Sequence, residues 1–417
     1  MNRRQTGWLA LGSWALVAIV VACRKPTPDE IVYTGAKPKG DTTSTPRPPV
    51  AVDPGFDKHA LLTAEADCAL DRYRVLESRA RTLRDVTRTY ASDPSSVNAS
   101  SAKDAWLATM AILEEAELFR FGPAARSTEP GGKDLRDEMY PWPLFSRCRT
   151  EEQLVDRTYA KPDFGTSIVN GRGLTAYEYL VFYPGTDNAC AQFSVINSQK
   201  TWAGLGDAEV AKRKADYAAA VADDVFARAT ALVQAWDPAA GNFYAQLAKA
   251  GHGSTVYPTD QAAFNAVSDA LFYLENEAKD MKLARPLGIL DCEDTTCAQA
   301  VESPYARASA AHLRANLRGF RRLFVGCTND AGDGLGFDDF LRAAGAGDLA
   351  DRMIAALADA EAAIDSLDPS FEDVVANEPA RGRTVHARFK KLTDLLKVEL
   401  MTDLNLEPPK GTEGDND

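Results

Sequence analysis

Glu178 is the single carboxylate in the run Gly173-Leu-Thr-Ala-Tyr-Glu-Tyr-Leu-Val-Phe182, an otherwise apolar helical segment. A carboxylate there is at least partly buried, and a buried carboxylate needs a partner. Three kinds are available: a metal ion, an arginine such as Arg172, or a hydroxyl such as Ser303 much further along the chain. Other metal-ligating side chains are sparse. The chain has four histidines, His59, His252, His312 and His386. None is spaced from another as ligands are, so each is expected to face solvent or sit in a loop. There is no His-Glu-x-x-His run, and a metal-activated nucleophile for peptide cleavage has no support in the sequence.

Two acidic stretches invite the same test. Asn329-Asp330-Ala331-Gly332-Asp333-Gly334 looks like a calcium loop, but counting from Asn329, position 3 is Ala331 and position 12 is Phe340. An EF-hand needs oxygen ligands at both positions, so a glycine-rich turn capping a helix is the expectation. Glu114, Glu115 and Glu117 read as a solvated helix face. Trp106, Trp142, Trp202 and Trp236 read as core or interface packing rather than ligand stacking.

Seven cysteines are present. Six of them, Cys68, Cys148, Cys190, Cys292, Cys297 and Cys327, allow up to three disulfides in an exported protein, and six cysteines can pair in 15 ways. Cys292 and Cys297 are the pair expected to close locally, and Cys148 with Cys190 the next. The seventh, Cys23, stands apart. Arg3 and Arg4 precede an uncharged run over residues 8–22 that ends Val20-Val21-Ala22-Cys23. That is the layout of a secretory signal, too short to span a bilayer comfortably. Its end resembles the lipobox of bacterial lipoproteins, which implies cleavage after residue 22 and acylation of Cys23. Arg24 in place of an aspartate favours the outer membrane over the inner. Residues 24–56 are rich in Pro, Thr, Gly and charge and are expected to form a semi-extended tether.

Composition agrees with a folded, exported body. Of 417 residues, 45% are apolar and 26% charged, which is globular. The net charge of −13 would become −13 − 2 = −15 on loss of Arg3 and Arg4 with the signal. With no basic stripe, nucleic acid is excluded as a partner.

The elements that must position these residues are helices. Leu62, Ala66, Ala69, Tyr73, Leu76, Ala80, Leu83, Val86 and Tyr90 recur three and four apart and place one apolar stripe on a long helix. A second helix is expected over 101–121, stopped by Gly122-Pro123. Further helices are expected over 207–236, 259–281, 309–324, 347–367 and 384–404, with no sustained period-two alternation for strands. The chain therefore reads as all-α, in antiparallel bundles. The long-helix pairs begin about 145 residues apart, which points to a duplicated unit.

Several segments resemble, in order, those of the imelysin-like proteins of bacterial cell envelopes. Ala105-Trp106 leading to Phe121-Gly122-Pro123 is similar to the family's early helix, Trp142-Pro143 to its Trp-Pro segment, and residues 173–182 to its signature helix. Glu302-Ser303, Ser309, Asn316-Leu317-Arg318-Gly319 and Gly334-Leu-Gly-Phe-Asp-Asp-Phe340 are similar to the second half, and residues 411–417 to the Asp- and Gly-rich tail. The resemblance implies two helical-bundle modules related by duplication: signal 1–22, lipidated Cys23 and tether 23–57, first module 58–205, second module and tail 206–417.

It also implies a site at the motif Gly-x-His-x-x-Glu, which here is Gly173-Leu174-Thr175-Ala176-Tyr177-Glu178. Residues three apart on a helix share a face, so a His and a Glu could hold one metal there. Thr175 stands where the His should be, and a neutral hydroxyl is a far poorer ligand. Gly173, Thr175, Glu178, Glu302 and Ser303 are the candidate ligand- or metal-binding residues, with Glu178 the candidate metal ligand. Three functions follow in order of expectation. The first is a non-enzymatic envelope lipoprotein that binds a ligand or protein partner and is anchored to the membrane by lipid. The second is a component of iron uptake holding iron or another divalent metal, and the third a metal-dependent peptidase. No cofactor is required by the first.

Overall fold

The structure, a computed structural model, describes residues 52–328 and 334–409. The expected signal, Cys23, most of the tether, the centre of the calcium-like loop and the 411–417 tail lie outside the described residues.

Helices α1, α2 and α7 begin where a side chain or a charge can satisfy the first N–H groups. Helix α1 (Lys58–Ser92) is capped by Asp57, which accepts from the His59 and Ala60 N–H groups. Helix α2 (Ser96–Ala116) is capped by Ser95 and tightens into a 3-10 turn, Glu117–Phe119, before Gly122-Pro123. Short helices α3 (Leu135–Met139), α4 (Arg147–Asp156), α5 (Gly173–Phe182) and α6 (Val195–Ser198) follow. Helix α7 (Asp207–Trp236) carries Asp207 and Glu209 in its first turn, where the helix dipole favours them. Then come α8 (Phe243–Ala248), α9 (Asp260–Leu271), α10 (Ser309–Val325), α11 (Phe337–Ala343), α12 (Gly347–Ile364), α13 (Phe371–Asn377), α14 (Pro379–Asp394) and α15 (Met401–Asp403). No strand occurs among the described residues.

Two of the expected helices are not uniform. The expected 259–281 helix is α9 followed by Leu274–Ala284 in π geometry, and the last helix widens the same way over Leu395–Leu400. The two π segments meet through an ion pair, Lys397 Nζ to Glu275 Oε1 at 2.6 Å. Wider turns of this kind often mark functional places.

In the first bundle α1 packs between α2 and α7, and α5 lies on α7 and α2. In the second, α12 packs on α14 and α11, while α14 also covers the π segment Leu274–Ala284. Helix α10 joins the two bundles by packing on both α2 and α12. The described residues all belong to one packed unit. Helix α7, which opens the expected second module at residue 206, has α1 and α5 as its principal neighbours.

Three disulfides close the body: Cys68–Cys327, Cys148–Cys190 and Cys292–Cys297. Trp106 and Trp236 are fully buried, and the Trp106 indole N–H donates to Leu174 O at 2.9 Å, docking the start of α5 on α2. No helix among the described residues is long and apolar enough to cross a membrane.

Candidate functional site

Helix α5 is fixed on every side. Gly173 opens it at φ +75°, and a Cβ there would lie 2.6 Å from Pro141 Cδ and 2.8 Å from Met139 O, so only glycine fits. Tyr177 OH pairs with Thr87 Oγ1 on α1 at 2.6 Å, and Tyr179 OH donates to Glu151 Oε1 on α4 at 2.8 Å. Held this way, α5 presents Thr175 and Glu178 on one face, toward the loop that follows residue 301.

Glu178 Oε1 accepts three hydrogen bonds there: from Ser303 Oγ at 2.9 Å, Tyr305 N at 2.9 Å and Ala306 N at 2.8 Å. Of the partners the sequence offered, the hydroxyl is the one used. Arg172 turns away, binding Glu138, Asp224 and Ser167 O. Burial pushes the Glu178 carboxyl up to about 7 even though these donors and His312 pull it down. Thr175 Oγ1 is buried with no hydrogen-bond partner.

Thr175, Glu178 and Glu302 line a cleft of about 670 Å³ with Trp142, Arg147 and Tyr305 on its walls. At its mouth lie exposed Glu293 and Asp294, in the loop closed by Cys292–Cys297, and Asp291 just before it. The volume suits a small ligand.

Behind Glu302 the structure gathers a buried polar cluster that includes Glu114 and His312, both expected toward solvent. Lys282, on the π segment, is fully buried and lies 2.5 Å from Glu114 Oε2 and 2.8 Å from Glu302 Oε1. Asn316 donates to Glu114 O and Oε2, and Tyr140 OH donates to Glu302 Oε1. His312 Nδ1 stands 3.3 Å from Glu302 Oε2 and 3.6 Å from Glu114 Oε1. Burial alone would raise the Glu302 carboxyl, but Lys282 and His312 hold it well below the usual carboxylate range. Burial and the adjacent Glu302 lift Glu114 to about 7. Burial opposes charge on His312, yet Glu302 and Glu114 raise its imidazole above the ordinary value.

His312 was expected in solvent or a loop and is 2% exposed. Ser309, His312 and Asn316 recur three and four apart on α10 and share its inward face. Glu114, Glu115 and Glu117, expected on a solvated face, are buried too. Glu114 and Glu117 fall on the stripe set by Trp106, Met110 and Leu113, and Arg136 Nε binds both oxygens of Glu117. Glu115 faces Arg72, Arg318 and Arg322. A buried Glu on an apolar stripe asks for a buried cation, and that pairing was the readable signal. His59 and His252 do lie at the surface, where they meet beside Asp260. His386 lies half-buried on α14.

The two places differ in how well they suit a metal. The motif pair offers a hydroxyl and a carboxylate whose Oε1 is already taken by three donors, which does not fit a tight site. The inner group fits better in its donors. Glu114 Oε1, Glu302 Oε2 and both His312 nitrogens are buried and make no well-aligned hydrogen bond, although His312 Nδ1 stands 3.3 Å from Glu302 Oε2, and one atom from each residue falls within 4.8 Å of the others. Lys282 already neutralises one charge on the opposite oxygens of the same carboxylates.

Comparisons with known proteins agree with this architecture. A structure described as an iron-regulated protein A precursor from Parabacteroides distasonis ATCC 8503 superposes with a TM-score of 0.64 at 16% identity, covering 85% of this chain and 98% of that one. An imelysin-like protein from Psychrobacter arcticum 273-4 superposes with a TM-score of 0.63, also at 16% identity, covering 86% and 99%. No curated protein sequence matches the chain. Residues 69–398 match the family model described as Peptidase M75, imelysin, and with the helical body and the 173–178 motif in place the chain belongs to the imelysin family.

Proposed function

We propose that this imelysin-family protein is a cell-envelope lipoprotein, anchored through acylated Cys23 at the outer membrane and facing the periplasm, that binds a ligand or partner at the cleft without transforming it. The observation that carries the reading is the state of Glu178. Its Oε1 braces residues 303–306 against α5, and position 175 supplies no imidazole. With the motif carboxylate committed to the fold, the cleft offers a binding surface with no activated nucleophile on its wall. Full-length protein incubated with a broad peptide library and added Zn(II) is expected to leave the peptides intact. Metal-dependent cleavage that disappears in Glu178→Ala would overturn the reading in favour of a peptidase. Labelling with a radioactive fatty acid, lost in Cys23→Ser, checks the anchor.

A second reading, metal handling in iron uptake, draws on the orphaned donors of Glu114, Glu302 and His312 and on the iron-regulated description of the Parabacteroides neighbour. Those three side chains would hold the ion, which would supply positive charge at the inner wall of the cleft. Metal content after purification without chelators, compared between the native protein and Glu302→Gln, separates this reading from the first.

A further inference from the structure

We infer that His59, His252 and Asp260 form a second, solvent-facing site for a borderline divalent cation of the zinc and copper class. The three come from the start of α1, the turn after α8 and the first residue of α9. Each offers one ligand atom, and those atoms lie within 4.8 Å of one another. His59 Nε2 is 3.6 Å from Asp260 Oδ2, and the His59 and His252 rings meet edge to face with centroids 4.4 Å apart. Two ligands about 2.1 Å from one ion stand about 3.0–3.4 Å apart. The His59–Asp260 gap is already near that spacing. His252 is exposed, so its ring, which touches His59, has solvent-side room to turn toward the other two.

The backbone around the site is set. Gly251 at φ +70° and Gly253 at φ +112° turn the chain about His252. A Cβ on Gly251 would lie 2.5 Å from Asp260 Oδ1, so the glycine is what allows that carboxylate to approach the turn. Gly251 N donates to Tyr257 O, His252 N to Lys249 O, and Gln246 Oε1 accepts from Thr255 N at 2.8 Å. The turn is thus fixed by its own hydrogen bonds, which hold the backbone that presents His252.

The donor set decides the class of ion. Two imidazoles with one carboxylate suit Zn(II), Cu(II), Ni(II) and Fe(II), and discriminate against Mg(II) and Ca(II), which take oxygen ligands. Unlike the cluster at Glu302, no lysine ammonium is bonded to the Asp260 carboxylate among the contacts of the site, and its open side leaves positions for water or a further ligand. An ion there would tie the start of α1 to a turn some 190 residues later, and binding only the folded state it would raise thermal stability.

The chain's four histidines make the test specific. Full-length protein purified without a histidine tag is titrated with Zn(II) while the imidazole Cε1–H signals are followed by NMR, each assigned by a single His→Gln substitution. The expected result is that the His59 and His252 signals shift or broaden, the His386 signal stays, and Mg(II) moves none. By calorimetry, the double variant His59→Gln/His252→Gln is expected to lose about tenfold or more in Zn(II) affinity while keeping its helical circular dichroism. Unmoved His59 and His252 signals at saturating Zn(II), or undiminished affinity in the double variant, overturn the assignment. Movement confined to His312 would do so as well, and would place the ion at Glu114 and Glu302.

Discussion

Ser303 Oγ donates to Glu178 Oε1 at 2.9 Å, joining α5 to a loop 125 residues further along the chain. The bond crosses from the signature helix to the segment that carries Glu302, so the two halves of the motif region are held in register by a carboxylate.

Glu178→Ala is expected to destabilise the fold by about 2–4 kcal/mol, because it strands the Ser303 hydroxyl and the N–H groups of Tyr305 and Ala306. Glu178→Gln keeps an oxygen acceptor in the same place and should lie within about 1 kcal/mol of the native protein. Urea denaturation of both variants checks the difference. Equal losses in the two would show that the negative charge matters rather than the acceptor.

Lys282→Met should cost about 3–5 kcal/mol, since it leaves Glu114 and Glu302 buried without their cation. Adding Glu114→Gln in the same chain removes one of the stranded charges and is expected to recover a substantial part of that loss. The comparison is a double-mutant cycle by chemical denaturation, and simple additivity would mean that the two side chains are not coupled.

The sequence made the long helices legible because their apolar stripes repeat at helical spacing: α1 and α7 appear where Leu62 to Tyr90 and Val210 to Trp236 place them. It singled out Glu178 because a carboxylate in an apolar segment must be satisfied, but it left a metal, Arg172 and Ser303 all open as partners, and only the packing of the loop against α5 selects the hydroxyl. It did not show Lys282 beside Glu114, since those residues are 168 positions apart and only packing across α10 brings them together. The widening of the turn at Leu274–Ala284 was equally hidden. The segment buries Glu275, Lys279 and Lys282, a tertiary circumstance that local propensity does not record.

Gly173→Ala tests how closely α5 is docked. The substitution places a methyl group 2.6 Å from Pro141 Cδ and 2.8 Å from Met139 O in a left-handed backbone conformation. A loss of about 1–3 kcal/mol is expected, with a fall in ligand affinity if the cleft is the binding site. Differential scanning calorimetry reads the first, and an unchanged melting temperature would show that the helix start can shift to accommodate a side chain.

Alkaline pH should stabilise the protein through Lys214. Lys214 is 5% exposed, and its ammonium donates to Tyr183 O and Gly185 O. Burial, with Arg147 nearby, pushes it down to about 8 from 10.5. Between those values the folded chain has released the proton while the unfolded chain still holds it, so the unfolded state binds more protons and stability rises with pH. Below pH 8 both states are protonated and this contribution is flat. The stability of the native protein relative to Lys214→Met is therefore expected to climb by on the order of 1–3 kcal/mol between pH 8 and pH 10.5. Urea midpoints of the two proteins measured side by side cancel the tyrosines and exposed lysines that titrate in the same range. A constant difference across that window would mean that the folded protein holds Lys214 as an ordinary, solvated ammonium.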